Sequence, residues 1–179
     1  LLMNQLLDLR KIDKGGLKLS FSENDMVPFI QGVIGNMEGQ FCQKNIALAF
    51  EHTGIDSLYM WFDPSNLDKV LINLLSNAYK FTPVNGRVRL LLEKTKDGDN
   101  ARISVIDNGI GIAPEELENI FRRFYQSSGG QAVYKGGSGV GLDLARSLVE
   151  QHGGELHAEN NTDSPGARFV ITLPLGRAH

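Results

Sequence analysis

Cysteine is almost absent from this chain of 179 residues, and Cys42 stands alone. One thiol makes no internal disulfide, which excludes a disulfide-framed scaffold and points to a reducing compartment. Cys42 itself reads as a small buried apolar side chain. A charge excess is missing too. The 18 Lys and Arg against 21 Asp and Glu leave a formal net charge of -3, which argues against a nucleic-acid-binding surface. No apolar run approaches the ~18 residues of a membrane span. No signal-peptide pattern is present, and the first residue is Leu1 rather than Met. The chain is therefore expected to be a piece of a longer protein. What remains is ordinary: 41% hydrophobic and 22% charged residues, enough for one domain with a real core and a little extra.

Several glycine-rich fingerprints are also missing. Gly136 to Gly141 has the outer spacing of a phosphate loop, but Leu142-Asp143 follows where Lys and Ser or Thr are required. A dinucleotide fingerprint counted from Gly137 needs glycine at 142, where leucine stands. No H-R-D or D-F-G tripeptide occurs. Nor is any histidine followed by Glu or Asp: His52, His152 and His157 precede Thr53, Gly153 and Ala158, and His179 is last. All four read as ordinary surface or structural histidines.

The most informative segment present is LDKVLINLLSNAYKFTP, residues 67 to 83. Asn73, Asn77 and Lys80 sit at i, i+4 and i+7, so on a helix they form one polar stripe. Val70, Leu71, Leu74, Leu75 and Ala78 supply the face that packs into a core. Two amides and an ammonium are poor core material. They suit a metal-bound polyphosphate: carbonyl oxygens for a hard cation and a point charge for phosphate. A solvated helix face is the alternative. A second candidate is Asp107-Asn-Gly-Ile-Gly111, directly after the strand pattern ISVI. Gly109 and Gly111 permit a tight turn and close approach to a flat ligand. The Asp107 carboxylate accepts hydrogen bonds only, as the amine of adenine requires. A third, Gly136-Gly-Ser-Gly-Val-Gly-Leu142, opens a helix and offers freed backbone amides to an anion.

Around these motifs the pattern predicts an α+β fold, with helices on one face of a mostly antiparallel sheet. Residues 1 to 12 place Leu2, Leu6 and Leu9 along a bundle or coiled-coil seam that Gly15-Gly16 ends. Leu17 to Phe21 alternates like a short strand. Ser22 to Asp25 supplies caps for a helix from about Met26 to Lys44. Strands are expected at Ala47 to Glu51, Leu58 to Phe62, Arg87 to Glu93, Ala101 to Ile106, Glu155 to Glu159 and Ala167 to Leu173. Asp63 or Ser65 caps the helix that carries the stripe. Pro114-Glu-Glu opens a short helix, and another runs from Val140 to about His152. Ser127 to Ser138, rich in Gly and Ser, reads as a mobile loop.

LINLLSNAYKFTP, DNGIGI, IFRRFYQ and GGSGVGL occur in this order. Their spacing resembles the N, G1, F and G2 boxes of the catalytic ATP-binding domain of sensor histidine kinases. The resemblance covers residues 21 to 175, and HGGELHAEN…GARFVITLPL is similar to that family's closing hairpin. It implies the Bergerat fold, a two-layer α/β sandwich shared with gyrase, Hsp90 and MutL. It also implies a division into residues 1–16, the end of a dimerisation and phosphoacceptor helix, and residues 17–179, the catalytic domain. LLDLRKIDKG is like the junction in hybrid sensors.

By the same resemblance, Asn77 would ligate Mg²⁺, with Asn73 supporting it one turn earlier. Lys80 would contact phosphate and Phe81 the adenine. Asp107 would bind the adenine amine, in a pocket lined by Gly109, Gly111 and Ile112. Gly137, Ser138, Gly139, Val140, Gly141 and Leu142 would form the triphosphate loop. Residues 122 to 138 would be an ATP lid, anchored at its start by Phe121 and Phe124, with Lys135 reaching the γ-phosphate. Arg122 and Arg123 are the less favoured cations for that phosphate, since their charges are expected to be solvated or paired with Glu115 to Glu118. The cofactors implied are ATP and Mg²⁺. The implied partners are the protein's own dimerisation domain, carrying the acceptor histidine, and a response-regulator receiver domain. The parent would be a homodimer, membrane-anchored, with this domain in the cytoplasm.

Two departures stand out. Some members carry an arginine after the F-box tyrosine, where Gln126 stands here. Hydrolytic relatives of the gyrase or Hsp90 type place a water-activating Glu one turn before the metal-binding Asn, and here that place holds Asn73. A neutral amide takes no proton from water, so the sequence is built against hydrolysis. A non-catalytic nucleotide-binding module would keep the same residues.

Overall fold

A computed structural model describes residues 2–125 and 140–176. Among the described residues there are four α-helices: α1 (Leu2–Asp13), α2 (Met26–Gln43), α3 (Pro64–Phe81) and α4 (Gly141–Gln151). The strands are β1 (Ser22–Asp25), β2 (Ala47–Glu51), β3 (Tyr59–Phe62), β4 (Arg87–Lys94), β5 (Asn100–Asp107), β6 (Glu155–Asn160) and β7 (Ala167–Pro174). Five of them form a sheet in the order β2-β4-β5-β7-β6, while β1 and β3 make a separate antiparallel pair. Only β2 with β4 is parallel; the other neighbours in the large sheet are antiparallel. The expected α+β architecture, a helix layer on a mixed sheet, is therefore the observed one.

Helix starts and stops follow the side chains. Asp63 caps α3 by accepting from the Asn66 N–H at 3.1 Å, and Pro64 occupies its first turn. Thr82 is extended before Pro83, which ends the helix. Asp25 caps α2 through the Val27 N–H at 3.1 Å. Two residues past the end of α1 at Asp13, Gly15 has a φ of 70° in the left-handed region and turns the chain away.

The core lies between α2, α3, α4 and the sheet. Val70, Leu71, Leu74, Leu75 and Ala78 of α3 are buried, as their spacing requires. Facing them are alternate sheet residues: Leu90, Val105 and Phe169 in one row, and Leu92, Ile103 and Ile171 in the next. The same period of two carries on along β5 from Ile103 through Val105 to Asp107, so Asp107 ends that strand on the helix side.

Four expectations are corrected. Leu17 to Phe21 is not a strand. Its alternation is real in burial, since Leu17, Leu19 and Phe21 are half-buried while Lys18 and Ser20 are exposed. The ladder instead starts at Ser22, which lies opposite Phe62, and the Ser20 N–H donates to Asp63 Oδ2 at 2.8 Å. Pro114–Glu116 is a single 3₁₀ turn. Cys42 is exposed, because α2 buries Ile34, Met37 and Phe41 and the next position turns outward. The α1 seam is divided: Leu9 is buried and Leu6 and Ile12 pack on the core, while Leu2, Met3 and Leu7 face outward. No described helix is long and apolar enough to cross a membrane.

Candidate nucleotide site

Helix α3 presents the polar stripe as its spacing predicts. Asn73 and Asn77 are half-buried and Lys80 is exposed at the last turn. Lys80 is followed by Phe81, half-buried, whose carbonyl oxygen lies against Gly109 so closely that any Cβ there would collide with it. The end of α3 and the turn after β5 are thus in direct contact. Gly109 is required first by the protein's own packing.

Asp107 stands at the bottom of this junction and is 4% exposed. Its Oδ1 accepts from the Gly109 N–H at 2.9 Å and the Ala167 N–H at 3.2 Å. Burial pushes its pKa up, against the lowering effect of those two N–H groups. Both bonds converge on one oxygen, so the second oxygen is the one a ligand amine would meet. A buried carboxylate with a raised pKa beside a helix end is a candidate binding group as well as the clasp of its own turn.

The turn that follows is held by residues that sequence reasoning did not select. Asn160 binds Ile112 twice: its Oδ1 accepts from the Ile112 N–H at 2.8 Å and its Nδ2 donates to the Ile112 carbonyl at 2.6 Å. Asn161 Nδ2 donates to the Asp107 carbonyl at 2.8 Å. Asn108 Oδ1 accepts from the Arg87 N–H at 2.8 Å. Gly166, with φ of 108°, brings the β6–β7 hairpin so close to the Asp107 backbone that no side chain fits there. Asn160, Asn161 and Gly166 lie about fifty positions or more beyond the turn they hold, and nothing local flagged them. Asn160 Oδ1 also lies beside Gly111, whose φ is 78°.

The start of α4 closes the other end of the site. Val140 is fully buried and Leu142 is half-buried against the core, so these two positions serve packing. Gly141 lies against Asn73, with Asn73 Oδ1 at 3.1 Å from where its Cβ would stand. The start of α4 and the polar stripe therefore meet. Among the described residues, no side-chain cap bond is seen at the N-terminus of α4. Lys135, Gly137, Ser138, Gly139 and Gln126, with the lid expected over 122 to 138, fall in or run into residues outside the described ones.

The F-box aromatics divide. Phe121 is buried, edge-on to Phe169 at 6.1 Å and beneath the Arg146 guanidinium at 4.8 Å. Phe124 is 63% exposed with φ of 63° and does not anchor. Arg123 does not pair within Glu115 to Glu118. It bonds Asp13 at 2.8 and 3.2 Å and Asp143 at 2.8 Å. Among the histidines, His152 is buried and structural: its Nε2 accepts from the Asp63 N–H at 3.1 Å, so Nδ1 carries the proton donated to the Leu148 carbonyl at 2.7 Å.

Residues 62–177 match the family model "Histidine kinase-, DNA gyrase B-, and HSP90-like ATPase". The chain is 32% identical over 174 residues to the sensor histidine kinase WalK of Bacillus subtilis, covering 97% of this chain and 28% of WalK. It is 33% identical over 181 residues to Histidine kinase P4 of Formosa agariphila, covering 99% of this chain and 13% of that protein. The chain thus spans a small part of these relatives. The solved catalytic domain of histidine kinase ThkA superposes with a TM-score of 0.76 at 28% identity, over 88% of this chain and 99% of that one. Full-length ShkA in complex with AMPPNP gives 0.82 at 27% identity, over 98% of this chain and 35% of that one. With a family model matched over most of its length and histidine kinases at 32% and 33% identity across nearly all of it, the chain belongs to the histidine kinase-, DNA gyrase B- and HSP90-like ATPase family.

Proposed function

We propose that this chain is the ATP-binding catalytic part of a sensor histidine kinase, and that it delivers the γ-phosphoryl group of ATP to a histidine outside residues 1–179. The observation that carries this reading is the junction of Asp107, the stripe of α3 and the start of α4, which brings an adenine acceptor and a phosphate site together. ATP binding is supported by the family match and by the AMPPNP bound to ShkA.

The chemistry asks little of the protein beyond position. A neutral imidazole attacks phosphorus, the bond to the bridging oxygen of ADP breaks, and ADP carries that electron pair away. Asp107 accepts from the adenine amine and repels the carbonyl that guanine presents there. Lys80 and the amides at the start of α4 hold phosphate oxygens. Asn77 fits Mg²⁺: it is a half-buried amide on the stripe, a hard oxygen donor, and the described residues hold no group of three His, Cys, Asp or Glu that would form a closed metal cage. A single protein oxygen suits an ion that keeps waters and shares phosphate oxygens. When bound, Mg²⁺ would supply charge neutralisation on the triphosphate.

In the same reading, residues 1–16 end a dimerisation helix and residues 17–179 form the catalytic domain. The parent would be a homodimer anchored in a membrane with this part in the cytoplasm. The downstream partner would be a receiver domain, as with ThkA, solved in complex with the response regulator TrrA. Titration with ATP and with GTP tests the nucleotide assignment. ATP is expected to bind well and GTP poorly; equal affinities would remove Asp107 from the adenine site.

A further inference from the structure

Helix α1 is fastened to the nucleotide site itself. Gln5 Nε2 donates to Asn73 Oδ1 at 2.9 Å. One turn on, Asp8 Oδ2 pairs with Lys69 Nζ at 2.9 Å, and Lys69 precedes Asn73 by four positions on α3. Leu9 is buried to 1% exposure beside them. At the end of α1, Asp13 binds Arg123 in a bidentate pair, and Arg123 also bonds Asp143 in the first turn of α4. Gln5, Asp8 and Asp13 thus contact α3, the segment after Phe121, and, through Arg123, α4.

The position of Gln5 matters most. Its Nε2 lies 3.9 Å from where a Cβ on Gly141 would stand, and Asn73 Oδ1 lies 3.1 Å from the same point. The Gln5 amide therefore sits beside both Asn73 and the start of α4, where phosphate oxygens would approach the backbone amides of that helix. It also takes up the carbonyl oxygen of Asn73, the donor that would support the metal-bearing Asn77 one turn later.

We propose that docked α1 and magnesium-bound nucleotide compete for this place: Gln5 acts as a latch on Asn73, and nucleotide binding loosens α1. The proposal rests on the nucleotide reading above. Competition is reciprocal by linkage, so whatever factor α1 costs the nucleotide, the nucleotide costs α1. The surface salt bridges contribute little each, and Asp8–Lys69 holds α1 in register more than it adds affinity.

The test uses the whole chain and a non-hydrolysable ATP analogue with Mg²⁺, titrated by calorimetry. Gln5→Ala removes the latch at a half-exposed helix position where alanine favours helix. It is expected to tighten analogue binding roughly three- to tenfold, the weight of one hydrogen bond. Gln5→Ala with Asp8→Ala is expected to tighten it at least as much, and Met3→Ala on the exposed face not at all. Hydrogen exchange across residues 2–13 is expected to speed up when the magnesium-bound analogue is added to the wild type. Unchanged or weaker affinity in both Gln5 variants, or unchanged or slower exchange in α1, would overturn the latch while leaving nucleotide binding intact. No binding by the wild type would overturn the nucleotide reading itself, and the latch with it.

Discussion

Asp107 is a carboxylate in a place where a carboxylate is costly, and its surroundings make the cost intelligible. Burial raises its pKa, and the Gly109 and Ala167 N–H groups hold one oxygen; in the proposed reading the other accepts from the adenine amine. Asp107→Asn keeps the shape and removes the charge. ATP affinity is expected to fall by about 1.5–3 kcal/mol, the range for a hydrogen bond to a charged group. The pH dependence follows in sign. Adenine needs the ionised acceptor, so wild-type ATP affinity should weaken as pH falls, beginning above the ordinary Asp value of 3.8, while the Asn variant stays flatter. Parallel pH profiles would remove Asp107 from the binding step. For Asn77, the informative change is alanine. It should abolish the gain in ATP affinity that Mg²⁺ brings and leave adenosine binding nearly untouched. An equal Mg²⁺ effect in both proteins would move the metal elsewhere.

Among the elements, the joint between α3 and α4 carries its own pH signature. Neutral His152, 2% exposed, accepts the Asp63 N–H at the start of α3 and donates to its own helix. Burial is the main cause of its lowered pKa. A histidine whose folded pKa lies below its unfolded value of 6.5 adds stability above that pH and loses it as pH falls below. Asp63 is different. Burial raises its pKa, but the Ser20 and Asn66 bonds outweigh that and lower it overall, so its contribution is lost only at pH below the ordinary Asp range. Denaturant unfolding of wild type and His152→Gln between pH 7 and 5 should separate the two. The wild type is expected to lose stability over that window and the variant to lose less; parallel curves would contradict the role. Element-level features were legible where they are local. Asp63-Pro64 starts α3, Thr82-Pro83 ends it, and the apolar spacing of α3 fixes which face is buried. The strand misread at Leu17 to Phe21 shows the limit: its alternation reports burial, while a ladder needs a partner, and β3 offers one only from Ser22 onward.

At the scale of the whole molecule, the site is assembled from segments far apart in the chain. The stripe, the Asp107 turn and the start of α4 could each be picked out because their chemistry is local and unusual: amides on an apolar helix, an acid at a strand end, glycines before a helix. Asn160, Asn161 and Gly166 could not, since an Asn-Asn strand end and a hairpin glycine look the same whether or not they clasp another loop. Gln5 and Arg123 were equally silent, because their partners lie 68 and 110 positions away. Phe124 misled because aromatic character does not imply burial.

The histidines of this chain lack an acceptor context, so residues 1–179 should act only as a donor. Incubation with γ-labelled ATP and Mg²⁺ is expected to leave no acid-labile label on the chain itself. Adding a matching histidine-bearing dimerisation domain in trans should place acid-labile label there, slowly, because the tether that raises effective concentration is absent. The same mixture should release little inorganic phosphate, since Asn73 stands where hydrolytic relatives carry a glutamate. Stable label on residues 1–179, or phosphate release without transfer to the added domain, would contradict the account.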